Sequence, residues 1–368
     1  MAVGARALES VVVNRAFWKG RRVFLTGHTG FKGGWLALWL HSLGARVVGY
    51  ALAPDARPNL FEAARVAERV ERSIIADVRD LDAVRRAIAE AAPDVVIHMA
   101  AQPLVRDSYT DPVGTYATNV MGTVHVLEAA RSAPSVRVIA VVTSDKCYEN
   151  REWLWGYRED EPMGGYDPYS SSKGCTELVA AAYRRSFFAQ AKPAVALVTG
   201  RAGNVIGGGD WSKDRIVPDA VRAFGAGQPL TIRSPNAIRP WQHVLEPLCG
   251  YLTLIEHAWN DAVRYAGGWN FGPGDDDVWP VSRLVDALGE KWPGRGKWVT
   301  DTGAHPHEAG ILRLDCAKAR TLLQWKPRLA LGTALDWIVE WHVAQAQGAD
   351  MLRLTQDQIR RYEQGVSQ

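Results

Sequence analysis

Short, unbroken apolar runs alternate with longer stretches of helical period from residue 22 to about residue 200. The runs at 22–26, 47–50, 73–76, 95–98, 138–142 and 195–198 lack the polar alternation of a half-exposed strand, so they read as strands covered on both faces. Between them, apolar positions recur at helical spacing over 31–43, 81–91 and 113–130. Strand and helix in this order predict an α/β fold built on a doubly wound parallel sheet. Past residue 200 the pattern turns irregular and rich in Gly, Pro and Trp. The shift predicts one domain over 18–200 and a smaller C-terminal domain, mainly over 201–350, with some segments returning to the sheet.

The first predicted strand runs into Thr26-Gly27-His28-Thr29-Gly30-Phe31-Lys32-Gly33. Glycines at 27, 30 and 33 permit a tight turn, close backbone approach to a pyrophosphate, and close helix packing. The following helix would offer its N-terminal N–H groups to the negative charge. The loop makes the sheet Rossmann-type and nominates Gly27, Thr29, Gly30, Phe31, Lys32 and Gly33 for a dinucleotide. In such sheets ligands bind at the carboxyl ends of strands, where Asp77, Ala100, Thr143 and Gly200 fall. The strand ending at Tyr50 is followed by Ala51-Leu52-Ala53, with no acid where adenosine ribose hydroxyls usually find one. Asp55 lies near the expected spacing and Arg57 can instead meet a 2′-phosphate, so these residues leave NAD and NADP open.

Composition narrows the function classes. The chain has 368 residues, 47% hydrophobic and 23% charged, as expected of a globular protein with a large core. A net charge of +3 with no basic run argues against nucleic acid or membrane partners. Residues 1–20 do not read as a signal peptide, and the apolar helix at 34–43 falls well short of the roughly 20 residues that span a bilayer. Cys147, Cys175, Cys249 and Cys316 are scattered without metal-ligand or disulfide spacing. A cytoplasmic protein with reduced thiols and no metal is the expectation.

Two polar clusters remain. Thr143-Ser144-Asp145-Lys146 ends an apolar run, and Tyr169-Ser170-Ser171-Ser172-Lys173 lies downstream. Tyr169 and Lys173 are four apart and share a helix face. A phenol near its ordinary pKa of about 10 is a poor base at neutral pH, and an ammonium close by favours the phenolate. Together with the glycine loop, the clusters describe a redox cofactor beside a proton-transfer site.

With these motifs the chain resembles the extended short-chain dehydrogenase/reductase superfamily of nucleotide-sugar enzymes and, within it, the CDP-glucose 4,6-dehydratases. The stretches that carry the resemblance are TGHTGFKGGWLALWL from Thr26, AAQPLVRDSY from Ala100, TSDKCYEN from Thr143, RAGNVIGGGDW from Arg201, RPWQHVLEPL from Arg239 and HPHEAGILRLD from His305. Relatives acting on dTDP-glucose carry Thr-Asp-Glu where this chain has Ser144-Asp145-Lys146. The resemblance implies NAD and a reaction with no net use of cofactor. Hydride leaves C4 of CDP-glucose for NAD, water is lost across C5 and C6, and the same hydride returns to C6.

Roles follow from the resemblance. Tyr169 would accept the C4 hydroxyl proton, Lys173 hold the nicotinamide ribose, and Ser144 hydrogen-bond the C4 oxygen. Asp145 would protonate the departing C6 hydroxyl, while Lys146 would remove the C5 proton or stabilise the enolate; on their own the two also read as a charged turn. Asp77 and Val78 are expected at the adenine end, with an N-cap for the next helix as the alternative for Asp77. Ala100, Ala101 and Gln102 are expected along the nicotinamide ribose, with Asn119 behind them. Arg201, Asn204, Arg233 and Arg239 are candidates for the nucleotide diphosphate. His305, with His307 and Glu308, would close the substrate site or simply brace a turn. A homodimer is implied, through the helices near 113–130 and 169–188. A related epimerase would keep Tyr169 and Lys173 without needing Asp145 and Lys146.

Overall fold

The apolar runs assemble into one seven-stranded sheet in a computed structural model that describes residues 13–55, 57–303 and 310–365. Its strands are β1 Arg22–Thr26, β2 Arg46–Ala51, β3 Arg72–Ile75, β4 Val95–His98, β5 Val138–Val142, β6 Ala196–Arg201 and β7 Gly267–Asn270. They lie in the order β7-β6-β5-β4-β1-β2-β3, every neighbouring pair parallel. The order reverses between β1 and β4, which opens a crevice at their carboxyl ends. Thr26 and His98 face each other there in register.

The helices that matter for the site are α1 Phe31–Ser42, α2 Leu81–Ala91, α3 Val105–Thr110, α4 Pro112–Tyr116, α5 Gly122–Arg131, α6 Pro168–Ser186, α7 Ile216–Gly225 and α8 Leu245–Asn260. α1 is apolar all round and correspondingly buried, from Gly33 to Leu40. Its indoles still find partners: Trp35 donates to Gly208 O at 2.9 Å and Trp39 to Glu363 Oε1 at 2.8 Å. α2 is capped by Asp80, whose side chain accepts from Ala83 N, so Asp77 is not the N-cap.

Two differences from the sequence pattern have physical causes. The helix expected over 113–130 contains a π-turn at Ala117–Met121, which carries the buried Asn119. The strand expected to end at residue 198 continues to Arg201, because Thr199 and Arg201 are buried against the carboxylate of Glu177. Apolar cores cover both sheet faces, and a third joins Ile206, Val217, Phe224, Leu284 and Leu335 in the C-terminal part. No helix among the described residues is long and apolar enough to cross a membrane.

Candidate active site

The glycine loop is packed where the chain turns and open where a ligand would lie. Gly27 has φ +81, and a Cβ there would stand 2.8 Å from Ala100 N. A Cβ on Gly33 would stand 2.0 Å from Gly27 O, so only glycine lets α1 dock on the turn. At Gly30 the nearest atom to an added Cβ is 3.4 Å away. Gly30 caps α1 without a side chain, leaving the helix N-terminus to an anionic ligand. Thr29 Oγ1 donates to Leu52 O at 2.8 Å and ties the loop to the end of β2. Thr26 Oγ1 accepts from Met99 N and Ala100 N and meets His98 Nδ1 at 2.7 Å, fixing the chain after β4 against the loop. These features fit a dinucleotide.

Past β5 the backbone runs extended through Thr143 and Ser144 into a single 3₁₀ turn, Asp145–Cys147. Ser144 Oγ caps the turn by accepting from Lys146 N at 3.2 Å and donates to Asp145 Oδ1 at 3.0 Å. Asp145 is buried, and its Oδ2 has no hydrogen-bond partner among the described residues. A Cβ on Gly203 would come within 1.7 Å of that oxygen, so the glycine after Ala202 makes room for the carboxylate. Opposite, Asp167 caps α6 and Pro168 opens it, setting Tyr169 and Lys173 in its first turns. Ser108 Oγ of α3 accepts from Tyr169 N at 3.1 Å.

Burial pushes the Tyr169 phenol up to about 12, while the Ser144 hydroxyl and Arg215 pull against it. Burial draws Lys173 down to about 8, with Glu177 opposing. Lys32, at the start of α1, is drawn down to about 7 by burial and by the nearby charges of Lys173 and Arg215, with Asp145 opposing. These mutual influences place the cofactor loop, the 144–146 turn and the head of α6 around one cleft.

A family model described as GDP-mannose 4,6 dehydratase matches residues 24–336, which include every part of this cleft. The chain belongs to that family. It is 52% identical over 354 residues, 95% of its length and 98% of the relative's, to CDP-glucose 4,6-dehydratase of Salmonella typhimurium. Identity to dTDP-glucose 4,6-dehydratase 1 of Escherichia coli is 25%, covering 76% of this chain and 80% of that enzyme. A UDP-glucose-4-epimerase from Stenotrophomonas maltophila, solved with NAD and formylated UDP-arabinopyranose, shares the fold. Its TM-score is 0.75 at 20% identity, over 89% of this chain and 100% of the epimerase chain.

For a 4,6-dehydratase, the remaining expected residues fall unevenly. Arg201 is not available to a diphosphate, contrary to the sequence expectation. Its Nε and Nη2 donate to Glu177 at 2.9 and 2.8 Å, and Nη1 donates to Glu159 O and the Tyr148 hydroxyl. The pair is 5% exposed on each side, and Thr143 and Thr199 donate to the same carboxylate. Glu177 was not singled out, although it sits one further turn along the Tyr169–Lys173 face of α6.

Gln102 spends its side chain on its own loop, at Leu104 and Thr115, and its backbone N and O on Asn119. Ala100 and Ala101 are half-buried beside it. Asn119 accepts from Gln102 N at 2.8 Å and donates to Ser172 Oγ at 2.9 Å, joining that loop to α6. Asp77 is held by Arg79, and Val78 packs over Gly122. Asn204 stands in the left-handed region at φ 47. Arg239 donates to Ile238 O and Gly310 O, and Arg233 reaches Asp214. His305, His307 and Glu308 lie outside the described residues.

Proposed function

We propose that this chain is a CDP-D-glucose 4,6-dehydratase that uses NAD and releases CDP-4-keto-6-deoxy-D-glucose and water. The observation that supports the reading is that Ser144 and Asp145 act on Tyr169, and Asp145 and Lys173 act on Lys32, beside a glycine loop shaped for a dinucleotide, with Lys146 in the same turn as Asp145. The 52% identity to a CDP-glucose enzyme supports the choice of nucleotide.

Gly27, Thr29, Gly30, Phe31, Lys32 and Gly33 would hold NAD, which would supply a reversible store for one hydride. The chain's own residues move the protons. Tyr169 accepts the C4 hydroxyl proton, helped by the Ser144 hydroxyl and the Arg215 charge that oppose its burial. Lys173, one helical turn along α6, would hold the cofactor ribose and adds positive charge there. The C4 ketone acidifies C5–H, and Lys146 either takes that proton as the free amine or, as the ammonium, stabilises the enolate while another group takes it. Asp145, whose Oδ2 has no partner among the described residues, protonates the departing C6 oxygen. Thr143, fastened to Glu177, keeps this turn at a fixed height above β5.

Exposed Val113, Met121 and Leu178 on α4, the π-turn and α6 form the face we assign to a second copy of the chain, and light scattering reads that state. The direct test of activity is mass spectrometry after incubation with CDP-, dTDP-, UDP- and GDP-sugars. A product lighter by one water from CDP-glucose is expected. An epimer of unchanged mass, or preference for another nucleotide, overturns the reading.

A further inference from the structure

Oppositely charged side chains join α3 to the segment leading into α7. Arg106 on α3 lies 3.3 Å from Asp214 on the segment leading into α7. The next residue along, Asp107, lies 3.0 Å from Lys213. Arg233, arriving from the C-terminal part, reaches the same oxygen of Asp214 at 3.4 Å. One carboxylate oxygen is therefore shared by two guanidiniums. Both ends of this strap are rooted beside the catalytic tyrosine. Ser108, on the same short helix as Arg106, accepts from Tyr169 N, and Arg215, next to Asp214, acts electrostatically on Tyr169 and Lys32. Asp214 is held in the left-handed region, at φ 58, which few residues other than Asn, Asp and Gly adopt readily.

We propose that Asp214 is an internal stand-in for the substrate's diphosphate. Before substrate binds, its carboxylate holds Arg106 and Arg233 in place, and the diphosphate of CDP-glucose then takes both guanidiniums from it. The inference rests on the nucleotide-sugar reading above and adds Arg106 and Asp214 to the residues that serve it. A diphosphate carries more charge and more acceptor oxygens than one carboxylate, and guanidinium forks match phosphate oxygens in pairs. Exchange is feasible because the pairs are half-exposed, with side chains 38% and 32% accessible for Arg106 and Asp214. The buried Arg201–Glu177 pair, 5% accessible on both sides, offers no such exchange. Asp107 and Lys213 keep α3 joined to the segment before α7 while Asp214 lets go.

Calorimetric titration of the full chain with CDP, cytidine and inorganic pyrophosphate tests the stand-in. Asp214→Asn suits the left-handed backbone and removes the competing charge, so CDP should bind about fivefold tighter, the scale of one or two half-exposed ion pairs. Arg106→Gln and Arg233→Gln should each weaken CDP about tenfold, as loss of a charge-assisted phosphate contact does, and leave cytidine unchanged. The gain from Asp214→Asn should shrink in an Arg106→Gln background, since one of the arms it releases is gone. CDP binding no tighter to Asp214→Asn at the parent melting temperature overturns the proposal. If that variant melts early, pyrophosphate decides. Arms that serve the diphosphate lose its competition against CDP when either arginine is removed, and arms that only tie the segment down keep it. Turnover of CDP-glucose with CDP affinity indifferent to all three substitutions defeats the stand-in alone. CDP binding without turnover of CDP-glucose defeats the catalytic reading instead.

Discussion

At the scale of single residues, the account depends on separate groups handling separate protons. Tyr169→Phe keeps the ring in its buried place and removes only the hydroxyl. Turnover should fall by roughly 10²–10⁴, the usual contribution of a general acid–base group, with NAD affinity within about twofold of the parent. Parallel losses of NAD binding and turnover, read by fluorescence titration and product assay, would point to a structural role. Lys146→Ala leaves Ser144, Tyr169 and Lys173 intact, so C4 should still be oxidised and a 4-keto sugar should accumulate with little loss of water. Lys146→Glu should recover part of the elimination, because a carboxylate can also act as base. Water loss by Lys146→Ala at nearly the parent rate would move the C5 base elsewhere. Ser144, Asp145, Lys146, Tyr169 and Lys173 could be nominated from the sequence because each cluster is contiguous or falls on one helix face, and the variants above test the roles of Tyr169 and Lys146. Arg201 was misassigned for the opposite reason. Its partner Glu177 is 24 positions away, and nothing local distinguishes a buried, paired arginine from one reaching for phosphate.

At the scale of elements, the strands were legible because burial on both faces leaves an unbroken apolar run. β4 and β5 begin and end where the pattern places them. β6 was cut short by that same rule, since Thr199 and Arg201 are polar yet buried through Glu177. The π-turn at Ala117–Met121 carries no sequence signal, because one extra residue in a turn barely disturbs the apolar spacing. The Glu177–Arg201 pair fastens α6, β6 and, through Thr143, the end of β5. Arg201→Met should therefore cost about 3–5 kcal/mol, because it strands a buried carboxylate. Replacing both with Gln and Met should cost far less. Chemical denaturation measures both, and equal costs for the single and double variants would mean the pair is not coupled.

At the scale of the whole molecule, buried titratable groups set how stability follows pH. Burial lowers His28 and His342 to about 4 and His98 and His243 to about 3, from an ordinary 6.5. Each is neutral when folded and takes a proton on unfolding. Their stability contribution is present above pH 6.5 and is lost as pH falls toward 4. Glu246 and Glu256, raised to about 7 by burial, act oppositely: their contribution is present below about 4.5 and is lost as pH rises through 7. The four histidines outweigh the two glutamates between pH 4.5 and 6.5. Net uptake of roughly two protons on unfolding gives a slope of about 2–3 kcal/mol per pH unit, and the melting temperature should fall as pH drops through that window. A melting temperature that rises on acidification there would contradict the burial of these histidines. The charged strap between α3 and the segment before α7, like the Glu177 clamp, was invisible in the sequence because its partners come from segments that only the fold brings together. The central claim is that one cleft oxidises C4, removes water and reduces C6 without releasing the sugar or exchanging its hydride. CDP-glucose deuterated at C4, incubated with the enzyme and NAD and examined by NMR and mass spectrometry, tests this most directly. The account predicts a product lighter by one water with the deuterium now on C6. Deuterium lost to solvent or to free cofactor, or retained at C4 in a sugar that has lost water, would contradict it.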